Sequence, residues 1–219
     1  MKTELELTKI KEKIINRLKS TNRSGIDNLI NFLIDGSDYF TAPASTKYHN
    51  NFKSGLMLHC DYLVETMLKK NELYNLGLTE GTIYITGYLH DLCKVNFYKE
   101  AYKIEKHPIT GAWSSVHSYE CEDELPLGHG EKSLSIIQDY IRLTNDEKMM
   151  IRWHMGVFQS YDDLKGFSSA CDKCKGVALI SCTDFEVDRF LEEVQEKEYL
   201  DVKYFNEYKK EKAMAVASK

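Results

Sequence analysis

Several features that would assign this chain to a common class of proteins are missing from its 219 residues. No apolar run approaches the roughly 20 residues that a membrane-spanning helix requires, and the first residues, Met1 to Glu6, lack the apolar segment of a secretory signal. Basic residues are not in excess, because 29 Lys and Arg stand against 34 Asp and Glu. We therefore predict a cytoplasmic protein without a membrane partner, and no recruitment of nucleic acid by a global positive field.

Motifs of several catalytic classes are also missing. The chain has neither a G-x-S-x-G nucleophile motif nor a Walker-type phosphate loop. Cys171 and Cys174 form one CxxC pair, but no second pair or nearby His pair completes a four-ligand structural zinc site. The six cysteines are scattered through a chain of ordinary size, so we expect reduced thiols. Without repeats or low-complexity linkers, the length favours a single domain over residues 1–219.

Polar residues of metal-binding type recur in or beside apolar, helix-like stretches. His90 and Asp91 stand side by side where one apolar run ends. Adjacent side chains diverge by roughly 100° in an α-helix, so this pair can meet one ion only near a helix end, with further ligands from other helices. The chain offers candidates in the order His, His-Asp, His, His, Asp, namely His59, His90, Asp91, His129, His154 and Asp184.

Hydrophobic periodicity predicts helices around most of these residues. Leu56, His59, Leu63 and Met67 recur at helical spacing, which places His59 on a buried stripe. Small Gly87, one turn before His90, would allow close approach of another helix or a ligand. Further helices are predicted at 3–19, at 24–35 and from Val177 to Leu191. Two more would begin near Thr79 and at Gly128. A capping box at Thr144 to Glu147 would begin another helix, which would carry His154. Between Val95 and Leu127 the period changes, which predicts a β-hairpin.

In this order and at these spacings the candidates resemble the HD superfamily of metal-dependent phosphohydrolases, whose signature is a first His, an adjacent His-Asp pair and a later Asp. Lys94, three positions after Asp91, and the turn around His129 add to the similarity. The chain looks most like the HD domain of bacterial 3′-to-5′ exoribonucleases and like small HD proteins of bacteria and phages, because the segment 39–49 precedes the first ligand helix in a similar way.

The resemblance implies an all-α fold, an HD-domain helical bundle with a small inserted β-hairpin at about residues 97–120. The family-like core would cover about 40–195, after N-terminal helices at 1–35 and before a peripheral C-terminal helix at 199–219.

The resemblance also implies a metal cofactor. His59, His90, Asp91 and Asp184 would hold a first divalent ion, and His129 and His154 would hold a second that Asp91 bridges. A site built from imidazole and carboxylate ligands suits Mn²⁺, Fe²⁺, Mg²⁺, Co²⁺ or Ni²⁺. Structural zinc sites, by contrast, are rich in thiolates. Asp188, one turn after Asp184, either orients a ligand or faces solvent. His49 is not among the predicted ligands.

The predicted function is a phosphohydrolase or phosphodiesterase that hydrolyses a phosphate ester of a nucleotide or short single-stranded oligonucleotide by attack of metal-bound water. Asp91 and Lys94 are the predicted catalytic residues, since an ammonium one turn beyond the metal pair could stabilise charge on phosphoryl oxygens. The predicted substrate-binding residues are Lys94, Lys47, Tyr48, Lys132 and Arg152.

Three alternatives stay open. A mononuclear HD 5′-nucleotidase or nucleoside-triphosphate hydrolase would need only the first four ligands. A non-catalytic HD module would bind a nucleotide as a sensor. A purely structural helical protein would bury several polar side chains, each of which costs free energy unless it is hydrogen-bonded. The exoribonucleases carry a separate nucleic-acid-binding domain ahead of the HD domain, where this sequence has only a helix-like stretch before Thr41, so we expect small substrates. The substrate, the native metal and whether the chain forms a homo-oligomer are open.

Overall fold

The structure is a computed structural model that describes residues 2–217. Its α-helices are α1 (Glu4–Ser20), α2 (Ile26–Asn31), α3 (Gly55–Leu73), α4 (Glu80–Leu89), α5 (His129–Gln138), α6 (Asn145–Arg152), α7 (Leu164–Lys173), α8 (Lys175–Phe190) and α9 (Lys203–Ala217). A π-helical turn, Phe32–Gly36, continues α2, and 3-10 turns lie at Leu92–Lys94, Gly156–Phe158 and Tyr161–Asp163. The strands are β1 (Tyr98–Lys106), β2 (Trp113–Cys121) and β3 (Tyr199–Leu200).

Capping side chains begin some of the helices where the sequence predicts them. Thr144 and Glu147 form a reciprocal capping box at the start of α6, which satisfies two backbone donors that the helix leaves free. The Thr79 side chain accepts from the Thr82 backbone N–H at the start of α4. Helix α6 nevertheless ends at Arg152, so His154 lies just beyond the helix that was predicted to carry it.

Helix α3 lies at the centre of the helical core and packs against α1, α4 and α8. Leu56, Leu63 and Met67 on its predicted stripe are fully buried, and His59 is buried among them. A Cβ atom added to Gly87 of α4 would lie 2.5 Å from Cγ2 of Val64 in α3. The close approach predicted at Gly87 is therefore that of α3, which brings His90 next to His59.

The predicted all-α fold class is wrong. The chain is mostly helical, at 57%, but it also carries a three-stranded antiparallel sheet in the order β1-β2-β3. The strands β1 and β2 pair along their whole length, from Tyr98 opposite Cys121 to Lys106 opposite Trp113, so the hairpin lies within one residue of its predicted bounds.

The third strand comes from the C-terminal part that was predicted to be one peripheral helix. Tyr199 and Leu200 pair with Val116 and Ser115 of β2, and α9 then packs on β1 and β2, with the Tyr204 ring stacked on that of Tyr102. An unpaired strand edge exposes backbone hydrogen-bonding groups, and β3 covers part of that edge.

A second difference concerns the stretch after His154, where no helix was predicted before Val177. It contains α7, whose Ala170 is buried and whose Phe167 and Cys171 pack against the core. The helix has only 10 residues and contains Gly166, a residue of low helix propensity, so periodicity did not reveal it. None of the helices within residues 2–217 combines the length and apolar character that crossing a membrane requires.

Candidate metal centre

Six side chains from five parts of the fold converge beneath one cavity. His59 lies within α3, and Asp184 lies within α8. Helix α4 ends at Leu89, so His90 caps it and Asp91 begins the following 3-10 turn. The pair therefore stands at a helix end, where adjacent side chains can converge. His129 is the first residue of α5, and His154 follows α6.

Asp91 lies between two groups of histidines. Its Oδ2 is 3.5 Å from Nε2 of both His59 and His90. Its Oδ1 is 2.9 Å from Nε2 of His129 and 3.5 Å from Nε2 of His154. The two oxygens of one carboxylate thus face different ligand groups, which is the arrangement that a bridging carboxylate requires.

Hydrogen bonds on the far side of the rings set the orientation of three histidines. Nδ1–H of His90 donates to the carbonyl of Gly87 at 2.9 Å, and Nδ1–H of His154 donates to the carbonyl of Ile151 at 2.7 Å. Nδ1–H of His59 donates to Oε1 of Glu192 at 2.6 Å. A neutral imidazole that donates from Nδ1 presents a lone pair at Nε2, so all three rings direct a potential ligand atom into the cluster.

A buried nitrogen of the cluster lacks a hydrogen-bond partner within the described residues. Nε2 of His154 is buried and has no hydrogen-bond partner among the residues that the structure describes, and such a group costs about 1–3 kcal/mol. Nε2 of His59 lies 3.1 Å from Nε2 of His90, so both nitrogens could reach one cation. Asp184 Oδ1 lies 3.1 Å from the same nitrogen of His59. Buried His and Asp groups of this kind could hold a metal ion, and the donor set fits a divalent cation.

The protonation states of Asp91 and His90 in the metal-free protein suit metal binding, whereas His59 must first lose a proton. Burial works against ionisation of Asp91, but Lys94 outweighs it and holds the pKa of Asp91 well below its usual range. Burial lowers the pKa of His90 to about 3, so this ring is neutral at pH 7. Burial also opposes protonation of His59, but Glu192 and Asp184 raise its pKa to about 10. Binding of a cation at His59 would therefore release a proton.

Lys94 lies against the same carboxylate. Its Nζ is 2.6 Å from Oδ2 of Asp91, and the side chain is buried. Burial disfavours the ammonium, but Asp91 outweighs that effect and raises the pKa of Lys94 well above its usual range. Lys94 therefore contributes a positive charge to the cluster that is separate from any cation bound there.

Sequence reasoning missed the residue that orients His59. Glu192 lies just beyond α8, and its side chain is fully buried. Its Oε2 lies 2.7 Å from Nδ1 of His49, a ring that also lies 3.3 Å from Oδ1 of Asp188. Asp188 thus contacts His49 rather than a predicted ligand. The spacing of four residues from Asp184 to Asp188 to Glu192 marks one helical stripe and would have revealed the carboxylate.

A cavity of about 430 Å³ opens onto the cluster, a volume in the range of about 300–1,000 Å³ typical of small-molecule sites. Asp91, Lys94, His129, His154 and Asp184 line its polar part. The remaining wall carries His49, Asp188, Met155 and Arg189. It also carries four aromatic residues, Tyr48, Tyr98, Phe158 and Phe185.

The structure brings only two of the predicted substrate-binding residues, Lys94 and Tyr48, to this cavity. The Nζ of Lys47 lies 4.9 Å from the centroid of the Tyr48 ring, but the residue lines a neighbouring cavity beside β2. The other two predicted residues are held in ion pairs away from the cavity: Lys132 with Asp123 at 2.5 Å, and Arg152 with Glu131 at 2.5 Å and Asp163 at 3.3 Å. Their places on α5 and α6 turn them towards these acids.

Comparisons with protein-family models, with curated proteins and with solved structures found no match. The resemblance to the HD superfamily therefore rests on the chain's own residues. What the geometry adds is the convergence of all six predicted ligands and the position of Lys94 beside them.

Proposed function

We propose that this chain is a metal-dependent phosphohydrolase of HD type, which cleaves a phosphate ester of a nucleotide or a short single-stranded oligonucleotide. The observation that carries this proposal is the environment of Asp91. One of its oxygens faces His59 and His90, the other faces His129 and His154, and Lys94 lies beside them at the base of a cavity.

Two divalent ions can be assigned to these residues. His59, His90, Asp91 and Asp184 would hold the first, and His129, His154 and the other oxygen of Asp91 would hold the second; Mn²⁺, Fe²⁺, Mg²⁺, Co²⁺ and Ni²⁺ suit these ligands. Such ions, when bound, supply Lewis acidity that lowers the pKa of water and offsets charge on phosphoryl oxygens.

The chain's own residues position and neutralise the substrate. The ammonium of Lys94 has three N–H donors, and Asp91 engages one of them at 2.6 Å. Because Lys94 also lines the cavity, a further N–H can donate to a phosphate oxygen there. Removing a single donor of this kind from other enzymes lowers turnover by about 10²- to 10³-fold. Burial of the cluster limits the access of bulk water, which strengthens each of these electrostatic interactions.

Size and charge favour a small substrate. A cavity of about 430 Å³ has room for one nucleotide unit. The formal net charge of −5 gives no general attraction for a long polyanion. We therefore place a nucleotide or a very short oligomer ahead of structured nucleic acid as the substrate.

The test is hydrolysis by protein loaded with each candidate metal. Nucleoside mono- and triphosphates, cyclic dinucleotides, and short RNA and DNA form the panel, and Asp91→Asn serves as the inactive control. We expect phosphate or nucleotide release from at least one member, abolished in the variant. If the loaded protein left the whole panel intact while an active HD enzyme cleaved its substrate in the same assay, the proposal would be abandoned.

A second candidate is a mononuclear nucleotidase, which the exposure of His129 favours. Its side chain is 38% exposed, whereas those of His59, His90 and His154 are at most 1% exposed. In this alternative His129 would contact the substrate instead of a second ion. The number of bound ions separates the two candidates.

A further inference from the structure

Two phenylalanine rings lie at the rim of the cavity that holds the cluster. Phe158 ends the 3-10 turn after His154, and Phe185 immediately follows Asp184 in α8. Their centroids are 5.5 Å apart, with an angle of 31° between the ring planes. Each ring is therefore attached, within four residues, to a predicted ligand, so the distance from the rings to the cluster is set by rigid elements.

Both rings are accessible although they are among the most apolar side chains. Phe158 is 61% exposed and Phe185 is 45% exposed. Burial of a phenylalanine ring stabilises a folded protein, and these two rings lack much of that stabilisation because they remain exposed. Contiguous exposed apolar side chains beside a polar site are typical of ligand-binding surfaces.

A cation accompanies the rings. The guanidinium of Arg189 lies 5.5 Å from the centroid of Phe185, lines the same cavity and forms an ion pair with Asp188 at 3.4 Å. A guanidinium plane stacks on aromatic rings and bases and pairs with anions. One wall of the cavity thus offers aromatic rings with a guanidinium over one of them, and the base of the cavity offers Lys94 and the cluster.

These two surfaces suit a ligand with a phosphate at one end and a flat ring at the other. We propose that Phe158 and Phe185, with Arg189, form a platform on which the base of a nucleotide substrate stacks while its phosphate lies at Lys94 and the cluster. This inference rests on the proposed function and assigns the substrate's base to a site. Stacking uses the π-face that every base has, so the platform tolerates different bases and favours purines by area.

The experiment compares two ligands that differ only in the base. Adenosine 5′-phosphorothioate and ribose 5-phosphorothioate, which resist hydrolysis, are titrated calorimetrically into Mn²⁺-loaded protein. Alanine substitution of stacking aromatics weakens base binding about five- to a hundredfold. We therefore expect the double variant Phe158→Ala, Phe185→Ala to weaken the adenosine ligand to this extent and to leave the ribose ligand within about twofold.

Phe190→Ala is the matched control. Phe190 lies at the end of the same helix and is 76% exposed, but it does not line the cavity, so this variant should bind both ligands as the wild type does. Phe185→Trp should retain the binding of the adenosine ligand, because it keeps a π-face. Circular dichroism and the midpoint of thermal unfolding check that each variant is folded.

The failures of the two proposals give different results. If the wild type binds both ligands equally and the double variant changes neither, the platform is wrong and the phosphohydrolase proposal stands. Equal weakening of both ligands in the double variant, or weakening in Phe190→Ala, would assign the rings a structural role and overturn the platform. If the wild type binds neither ligand, the phosphate site and the platform both fail.

Discussion

Nδ1–H of His59 donates to the carboxylate of Glu192 at 2.6 Å, and each of the two side chains is at most 1% exposed. Burial opposes ionisation of Glu192, but His59 and His49 outweigh it and lower its pKa to about 2. A carboxylate in this state only accepts hydrogen bonds. Glu192 therefore holds the proton of His59 on Nδ1 and directs Nε2 towards Asp91 and Asp184.

Loss of the Glu192 charge should weaken metal binding. Glu192→Gln keeps an acceptor near His59 but removes the negative charge that makes the ring a better ligand, and such outer partners contribute about 10- to 100-fold to metal affinity. We expect the dissociation constant for Mn²⁺, measured by competition with a chelating dye, to rise by about tenfold. Glu196→Gln, at an exposed carboxylate nearby, is the control. An unchanged constant in Glu192→Gln would contradict this role.

The number of bound ions should depend on His129 and His154. Protein purified without chelator should contain about two ions per chain by mass spectrometry, and the variant with both histidines changed to Ala should contain about one. The reason is that Oδ1 of Asp91 would keep no histidine beside it, while Oδ2 would keep His59 and His90. About one ion or fewer in both proteins would favour the mononuclear nucleotidase.

Removal of the Lys94 ammonium should slow turnover without removing metal. Lys94→Met keeps most of the side-chain volume, and it removes a cation that competes for Asp91 Oδ2. We expect turnover to fall by about 10²- to 10³-fold, with a metal content no lower than that of the wild type. Lys132→Met is matched in burial but pairs with Asp123 outside the cavity, and it should retain turnover. Metal loss in Lys94→Met would instead assign Lys94 to the assembly of the cluster.

Filling the contact between α3 and α4 should disturb both stability and metal binding. Gly87→Ala would place a Cβ 2.5 Å from Val64, and overpacking of this kind costs about 1–3 kcal/mol. Because Gly87 also accepts the hydrogen bond of His90, we expect urea unfolding to show the lower stability and Mn²⁺ affinity to fall with it. Gly81→Ala in the same helix meets no atom closer than 3.9 Å. It should not destabilise the protein, since alanine favours helix.

The local pattern of apolar and capping residues was sufficient to predict much of the helical framework. The stripe containing His59 is buried, the capping box begins α6, and the change of period after Val95 marks strands β1 and β2. These features depend on neighbours within one or two turns, or on alternation along one strand, and they are therefore readable from the chain alone. The fold class could not be predicted in this way, because Tyr199 and Leu200 pair with a strand that lies more than 80 residues earlier in the sequence.

By itself, the sequence determined which groups are available to the site: histidines and aspartates on apolar helical stripes, an adjacent His-Asp pair at a helix end, and a lysine one turn later. Only the tertiary structure decided how they are used. Glu192 reaches His59 across 133 positions, and Phe158 reaches Phe185 from a separate 3-10 turn. The physical reason is that periodicity fixes which face of a helix is buried, whereas the partner of that face depends on how separate helices pack.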